Sequence, residues 1–295
     1  MQRVEEEIAR LVKEINYDAA ESLFKTLSGG KRVRAKLILK IAKTAKEAPL
    51  LAAIVELIHA ASLLHDDVID EATTRRGVAS INATQGSKTA VMLGDILYSK
   101  AYSELVSFDK EIAKLISNSV TALSIGEMMD VEMSKSFNSD SQKYLEMLYL
   151  KTATLIEACA ASAAVLESKD SSSYALFGKN LGLSFQIIDD ILDIVSDEKT
   201  LGKPAMNDFA EGKTTLPYIY LYEQLQSQDK AKLVSMHGKK LNENDSMWVI
   251  KKFKEYGCIE KSFALAKKLS DEAKEIVKND EELVQILETM IKRSY

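Results

Sequence analysis

The stretch His59-Ala-Ala-Ser-Leu-Leu-His-Asp-Asp-Val-Ile-Asp70 is the most informative part of the chain, because an apolar segment ends there in three carboxylates. The stretch Phe185-Gln-Ile-Ile-Asp-Asp-Ile-Leu-Asp193 repeats the same acidic spacing. Residues four apart lie on one face of an α-helix, so the first and last aspartates of each cluster should be neighbours. Anions at the C-terminal end of a helix are opposed by the helix dipole and by each other. The pattern therefore predicts bound cations at both clusters.

The two clusters contain only carboxylates, which are the ligands that hard cations such as Mg²⁺ prefer. Mg²⁺ binds one or two carboxylates at a site and takes its other ligands from water and phosphate oxygens. Neither cluster contains cysteine, and the three histidines of the chain are too scattered for a zinc or iron site. A single copy of the pattern is compatible with a solvated helix end, whereas two copies favour metal binding. The candidate metal ligands are Asp66, Asp67, Asp70, Asp189 and Asp193.

The composition is that of an ordinary globular protein, with 295 residues, 46% hydrophobic and 28% charged. The formal net charge of −5 argues against nucleic acid as the main partner. No stretch reaches the roughly eighteen uncharged apolar residues of a spanning helix, and the first residues lack the features of a signal peptide. Cys159 and Cys258 are isolated and match no metal-ligand spacing. We therefore expect a cytoplasmic protein that does not span a membrane, with both cysteines reduced and buried.

Apolar residues recur at helical spacing through most of the chain, and no strand-like alternation extends beyond four residues. The spacing predicts helices at about 2–16, 31–46, 49–70, 88–106, 109–135, 140–168, 171–196, 216–225, 228–236, 243–255, 258–276 and 280–292. Residues 71–86 are predicted to form a loop or short helical turns, and the polar segment 196–214 an ordered or closing loop. No linker or short repeat is evident, so we expect one all-α domain, residues 1–295, built as a helical bundle.

Basic residues lie close to both acidic clusters. In Gly29-Gly-Lys-Arg-Val-Arg34 they stand at a predicted helix start, whose free backbone N–H groups also attract anions. Each basic residue alone is more often a surface charge, but their placement around the clusters favours phosphate as the ligand. The candidates are Lys31, Arg34, Arg75, Arg76, Lys151, Lys203 and Lys213.

The central helix adds a histidine and an apolar face. His59 lies two turns before Asp66 on the same face, although a lone histidine on an apolar face is more often a core residue. Ile54, Leu57 and Ile58 form an apolar wall below the acidic end, which suits either a hydrocarbon tail or simple core packing. Together the residues suggest a ligand that combines a diphosphate, held through Mg²⁺, with a hydrophobic tail.

With these residues in place, the chain resembles the trans-isoprenyl diphosphate synthases, or polyprenyl synthetases, over nearly its whole length. The full set of motifs in this order is highly specific. The matching motifs are Gly29-Gly-Lys-Arg-Val-Arg34, Asp66-Asp-Val-Ile-Asp70, Arg75-Arg76-Gly77, Lys151-Thr152, Phe185-Gln186, Asp189-Asp-Ile-Leu-Asp193, Gly202-Lys203 and Gly212-Lys213. The resemblance implies an isoprenoid-synthase-type bundle around a deep central cavity, usually assembled as a homodimer.

The resemblance also implies a role for each candidate residue. Asp66 and Asp70 would bind two Mg²⁺ on one side of an allylic diphosphate and Asp189 a third on the other, with Asp67 and Asp193 assisting. The allylic diphosphate would be held by Arg75, Lys151 and Lys203, and the isopentenyl diphosphate by Lys31, Arg34, His59 and Arg76. Thr152, Gln186 and the Lys151 carbonyl would face the developing allylic cation, and Lys213 would close over the diphosphate.

The implied reaction is ionisation of the allylic diphosphate, condensation with isopentenyl diphosphate and elimination of a proton. In the family the fifth residue before the first acidic cluster controls product length, and short-chain members carry an aromatic residue there. This chain has Ala61, followed by Ser62. The expected product is therefore longer than C15, in the range C30–C40 and thus of octaprenyl type, with the tail running past Ala61. Leu123 and Met128 are candidates for the floor of the cavity.

Four alternatives are weighed against this interpretation. A shorter-chain synthase of the geranylgeranyl or farnesyl type would use the same motifs. A terpene cyclase of the same fold typically keeps only one intact acidic motif, and a non-catalytic partner subunit usually loses them. An HD-type phosphohydrolase, suggested by Leu64-His-Asp66, would need further histidines, and His237 is the only one left.

Overall fold

The computed structural model describes residues 1–27, 30–75, 77–195 and 206–291. These residues are 78% helical with almost no strand, which confirms the predicted all-α class. The α-helices, numbered in chain order, are α1 (Gln2–Lys13), α2 (Asp18–Thr26), α3 (Val33–Ile41), α4 (Ala48–Ile69), α5 (Ile81–Gln85), α6 (Ser87–Leu105), α7 (Lys110–Met133), α8 (Ser141–Leu148), α9 (Thr154–Leu166), α10 (Ser171–Val195), α11 (Asn207–Ala210), α12 (Leu216–Gln224), α13 (Ser227–Met236), α14 (Glu243–Tyr256), α15 (Cys258–Ile276) and α16 (Glu281–Ile291).

Most predicted helices have the expected boundaries, and the differences occur where local chemistry intervenes. The first predicted helix, 2–16, corresponds to α1 and ends three residues early, whereas α2 was not predicted. The helix α3 is shorter at both ends than predicted. The predicted helix 140–168 contains a π-helical turn, Tyr149–Ala153, between α8 and α9. Residues 71–86 contain a small antiparallel hairpin, in which β1 (Thr74–Arg75) pairs with β2 (Val78–Ala79), followed by α5.

The chain divides into two compact units. Unit 1 comprises residues 1–120 and 158–175, and unit 2 comprises residues 121–157 and 176–295. In unit 1, α4 packs against α1, α3 and α6. Pro49 occupies the first turn of α4, where its missing N–H costs no hydrogen bond. Residues 48–58 are buried except for the half-buried Leu50. The first half of α4 is therefore packed inside unit 1, and the acidic residues lie at the opposite end of the same helix.

Unit 2 has two groups of buried apolar side chains. One surrounds the π-helical turn and includes Leu148, Ala153 and Ile187. The other is aromatic, with the rings of Phe209 and Tyr218 stacked 4.1 Å apart. Both groups lie close in sequence to segments that carry candidate site residues.

Two segments, Ala48–Ile69 and Ser141–Leu166, are apolar and long enough to cross a membrane. In each, 67% of the apolar window is buried within the protein. A core helix of a folded bundle meets the same length and composition criteria, so this is weak evidence for a membrane span.

Candidate active site

The end of α4 carries the first acidic cluster. Asp66 is half-buried and Asp70 exposed, while Asp67 is buried. Arg75 donates to Oδ1 of Asp67 from both Nε and Nη2, each at 2.7 Å. Burial raises the pKa of Asp67, and the charge of Arg75 opposes that rise. Asp67 thus orients Arg75, whereas the more accessible Asp66 and Asp70 remain the better placed of the three to meet a metal.

Unit 1 contains a pocket of about 90 Å³ beside the acidic end of α4. His59, Ala60 and Asp67 line it from α4, and Arg75 lines it from the hairpin. Three of the predicted site residues therefore meet in one pocket. Lys31 and Arg34 are not among its lining residues, and Arg76 lies outside the described residues.

The start of α3 differs from the expected anion site. Arg32 has a left-handed backbone (φ 51°), and its side chain contacts Glu5 at 3.0 Å and the buried Glu56 at 3.2 Å. Glu56 also accepts a hydrogen bond from the backbone N–H of Ala35 at 3.1 Å. The expectation that this helix start attracts an external anion through its free N–H groups is therefore wrong for Ala35, because an internal carboxylate already occupies that donor.

Both cysteines are free and buried, as expected from their spacing. Burial raises the pKa of the Cys159 thiol to about 12 and that of Cys258 to about 11. The charge of Arg34 opposes the shift at Cys159, which indicates that this half-buried guanidinium lies near the interior of unit 1. Neither thiol is a candidate nucleophile.

In unit 2, Lys151 and Thr152 lie in the π-helical turn Tyr149–Ala153. A Cβ added to Gly126 would lie 2.3 Å from the backbone N of Lys151, and one added to Gly182 would lie 2.6 Å from Cα of Ala153. The backbones of α7 and α10 therefore approach this turn more closely than any side chain allows. Single π turns within α-helices frequently mark functional positions, and this one carries two candidate residues.

Lys151 is held by two carboxylates of α7. Its Nζ lies 2.6 Å from Asp130 Oδ2 and 2.8 Å from Glu127 Oε2, and both acids are mostly buried. Burial alone would lower the pKa of Lys151, but the two carboxylates raise it above its usual value. The two carboxylates therefore favour the charged ammonium and fix it beside the π-helical turn.

A chain of hydrogen bonds joins the π-helical turn to the second acidic cluster. Thr152 Oγ1 donates to Gln186 Oε1 at 3.2 Å, and Gln186 Nε2 donates to Asp190 Oδ1 at 2.9 Å. Tyr144 donates its hydroxyl hydrogen to Asp190 Oδ2. Burial raises the pKa of both Tyr144 and Asp190, and the charge of Asp208 raises that of Asp190 further. Because Asp190 accepts from the amide nitrogen, the Gln186 oxygen turns toward Thr152, whose own oxygen keeps its lone pairs for a ligand.

The remaining aspartates of the second cluster differ in exposure. Asp189 is exposed, but Asp193 is buried and serves as an anchor. Its carboxylate accepts from the backbone N–H of Asp208 at 3.1 Å, and its carbonyl accepts from that of Met206 at 2.7 Å. The carbonyl of Asp208 in turn accepts from the N–H of Lys213 at 2.8 Å. Lys213 is therefore tied to the acidic cluster, whereas Lys203 and the rest of 196–205 lie outside the described residues.

The donor set is compatible with Mg²⁺. No group of three or more His, Cys, Asp or Glu side chains within the described ranges is arranged to hold a metal by itself. Mg²⁺ does not need such a cage, since it keeps water and phosphate oxygens as ligands beside one or two carboxylates. Asp66 and Asp70 supply such a pair one helical turn apart, and Asp189 supplies an accessible carboxylate in unit 2.

The residues proposed to control product length are placed on the buried side of α4. Ala61 is fully buried and Ser62 is half-buried, with its hydroxyl bonded to the His59 carbonyl at 2.9 Å. The unit 1 pocket is lined by Ala60 and not by Ala61. The side chain of Met128 is 74% exposed in the single chain, so the prediction that Met128 forms the floor of a cavity within this chain is wrong.

Several site residues were not identified from the sequence. Asp190 lies within the second acidic motif, but the sequence gives it no role of its own. Glu127 and Asp130 are visible only as acids within a largely apolar helix. The sequence contains no signal for Tyr144 or His237, because their partners are far away in the chain.

Comparison with known proteins defines the class of this chain. Residues 14–253 match the family model of the polyprenyl synthetases. The chain therefore belongs to the polyprenyl synthetase family, and it is a prenyltransferase. The family is magnesium-dependent and uses isoprenyl diphosphate substrates.

Individual relatives cover almost the whole chain. An octaprenyl pyrophosphate synthase from Helicobacter pylori is 45% identical, with a TM-score of 0.93 over 100% of this chain and 98% of that one. A short chain isoprenyl diphosphate synthase from Methanothermobacter thermautotrophicus is 34% identical over 90% of this chain and 84% of that protein. A polyprenyl synthase from Caulobacter crescentus, complexed with calcium and isoprenyl diphosphate, is 28% identical, with a TM-score of 0.86 over 99% of this chain and 94% of that one.

Proposed function

We propose that this protein condenses isopentenyl diphosphate with an allylic diphosphate and makes a trans-polyprenyl diphosphate of C30–C40. The observation that carries the proposal is the hydrogen-bond chain from Thr152 through Gln186 to Asp190. It presents an oriented hydroxyl oxygen on the π-helical turn, next to a fixed ammonium and an acidic helix end. Such preorganised dipoles stabilise a developing carbocation without reorganising during the reaction.

Asp66, Asp70 and Asp189 would hold Mg²⁺, three ions in all, with Asp67 and Asp193 shaping the two clusters from their buried positions. When bound, Mg²⁺ neutralises negative charge on the departing diphosphate. Asp67 acts through Arg75, which it holds by two N–H groups, and Asp193 acts through the turn that carries Lys213.

The basic residues would divide between the two substrates. Arg75, Lys151 and Lys203 would hold the allylic diphosphate, and Lys213 would cover it. Lys31, Arg34, His59 and Arg76 would hold the isopentenyl diphosphate. The pocket that His59 and Arg75 both line supports two diphosphates bound next to each other in unit 1. Thr152, Gln186 and the Lys151 carbonyl would face the allylic cation, and the proton lost at the end would pass to the released diphosphate, because no described side chain is an obvious base.

The proposed product length depends on Ala61. A small side chain at this position leaves room that an aromatic ring would fill, and Ile54, Leu57 and Ile58 continue the apolar face behind it. The likeness to an octaprenyl pyrophosphate synthase supports a long product, and the likeness to a short chain isoprenyl diphosphate synthase keeps the shorter product as a second candidate.

We further propose that residues 1–295 act as a single catalytic domain in a cytoplasmic homodimer. Exposed Ile125, Met128 and Val131 recur every three residues on α7, and such an apolar stripe suits a second copy of the chain. Sedimentation or light scattering would measure the mass in solution, and a monomer at micromolar concentration would contradict the dimer.

The test is incubation of the purified chain with Mg²⁺, radiolabelled isopentenyl diphosphate and allylic diphosphates of increasing length. Chromatography of the products is expected to show prenyl diphosphates ending at C30–C40. A product that forms without isopentenyl diphosphate would instead indicate a cyclase. Absence of any prenyl product from every primer would reject the proposed function.

A further inference from the structure

The peptide group that joins Gly212 to Lys213 is hydrogen-bonded on both sides. His237 Nε2 lies 2.6 Å from the Gly212 carbonyl oxygen, and the Lys213 N–H donates to the Asp208 carbonyl at 2.8 Å. Because a carbonyl only accepts, the His237 ring must carry its hydrogen on Nε2. These two bonds fix the plane of the peptide, and with it the direction in which the Lys213 side chain leaves the backbone.

Because of the backbone conformation of Gly212, the orientation of this peptide group depends on its hydrogen bonds. Its φ of +86° lies in the left-handed region, and an added Cβ would lie 2.5 Å from the Ser134 carbonyl oxygen. Glycine is free to rotate in this region, so the residue before Lys213 is restrained only by its contacts. Its backbone N–H donates to the Phe209 carbonyl, which also accepts from Gly238 next to His237. The loop after α13 therefore holds this turn by two separate hydrogen bonds.

The imidazole ring is itself fixed by aromatic neighbours. It packs edge-to-face against Phe209 at 5.7 Å and against Phe137 at 5.8 Å between ring centroids. Partial burial lowers the pKa of His237, and the bond to the Gly212 carbonyl opposes that shift. The ring thus lies between two phenylalanine rings, and its Nε2 donates to the peptide group before Lys213.

We propose that His237 is a positioning residue for Lys213. It does not touch substrate. It holds the Gly212 carbonyl and so helps to set the position of the Lys213 ammonium. The same turn is connected to the second acidic cluster through the hydrogen bond between Asp193 and Asp208. The proposal rests on the proposed function, in which Lys213 covers the allylic diphosphate. Misplacing such a cation by about 1 Å is expected to reduce kcat/KM by tenfold or more.

Two substitutions separate the hydrogen bond from the packing. His237→Phe keeps an aromatic ring in the slot and removes the N–H, whereas His237→Gln keeps an N–H at similar reach and loses the ring. We expect His237→Phe to lower kcat/KM for the allylic diphosphate by about tenfold, and His237→Gln to stay within about threefold of the wild type. In a Lys213→Gln background, His237→Phe should have no further effect, because its target is gone.

Lys239→Gln is the matched control, since Lys239 lies in the same loop and its side-chain ammonium donates to the Ser235 carbonyl at 2.8 Å. It should leave kcat/KM unchanged, and thermal unfolding should show that all variants are folded. Two results would overturn the proposal. One is an equal loss of kcat/KM in His237→Phe and His237→Gln that adds to the loss in Lys213→Gln, which would show a purely structural role. The other is wild-type activity in His237→Phe. If Lys213→Gln itself keeps full activity, the assigned role of Lys213 fails and this inference with it. An absence of prenyl products from the wild type would instead reject the proposed function.

Discussion

Lys151 Nζ and Asp130 Oδ2 lie 2.6 Å apart, and Glu127 Oε2 reaches the same ammonium at 2.8 Å. One cation on the π-helical turn therefore offsets part of the negative charge of two mostly buried carboxylates of α7. The arrangement keeps Lys151 charged and in place, but it also makes the fold of unit 2 depend on a residue that we assign to substrate binding.

Replacing Lys151 by Met is expected to destabilise the protein by about 3 kcal/mol, because removing one partner leaves buried charge without compensation. Activity should be lost as well. Urea unfolding would measure the free energy, and Lys135→Met is the matched control, since Lys135 pairs with Glu132 at 2.7 Å on the surface. The control should change stability by less than about 0.5 kcal/mol. A Lys151→Met variant as stable as the control would contradict this account of the ion cluster.

Tyr144 and Tyr218 are both fully buried, but among the residues that the structure describes only Tyr144 has a hydrogen-bond partner for its hydroxyl. Tyr144→Phe leaves Asp190 without one of its donors and should cost about 1–3 kcal/mol. It should also lower kcat, because Asp190 orients Gln186. Tyr218→Phe removes a buried hydroxyl that has no hydrogen-bond partner within the described ranges, and it should be neutral or stabilising. Paired thermal melts measure the difference, and equal effects in the two variants would count against the hydrogen-bond chain.

Glu157 provides a prediction for pH dependence. Burial raises the pKa of its carboxyl group above the usual value, while Tyr149 and Lys179 oppose the rise. The folded state therefore binds the proton more tightly than the unfolded state, so stability from this group falls as pH rises through the interval between the two pKa values. Glu157→Gln removes the effect. Its Tm relative to the wild type should increase from about pH 4 to about pH 7. A Tm difference that is constant across this range would show that the carboxyl group is not perturbed.

Ala61 is expected to set the product length. The series Ala61→Val, Ala61→Leu and Ala61→Phe should shorten the longest product step by step, as the side chain fills the space beside the apolar face of α4. Because Ala61 is fully buried, the larger residues should also cost about 1–3 kcal/mol by overpacking. Thin-layer chromatography of the products reports chain length independently of yield. An unchanged product distribution in a folded Ala61→Leu variant would place the length control elsewhere.

The sequence alone determined the fold class and the two acidic clusters. Helical spacing of apolar residues predicted nearly every helix, and the position of Pro49 at the start of α4 matched the structure. The aspartate spacing placed Asp66 and Asp70 on one face of a helix. Apolar periodicity and aspartate spacing are both local features, so they can be interpreted without knowledge of the remainder of the chain.

Tertiary structure decided which of these residues are accessible and what holds the others. Asp67 and Asp193 share a motif with accessible carboxylates but are buried, each committed to an internal donor. The bonds from Tyr144 to Asp190 and from His237 to Gly212 join residues that are distant in the chain. Periodicity describes only which face of a helix a residue occupies. The partner that a buried polar group finds depends on how the helices pack, and that is decided only when the core forms.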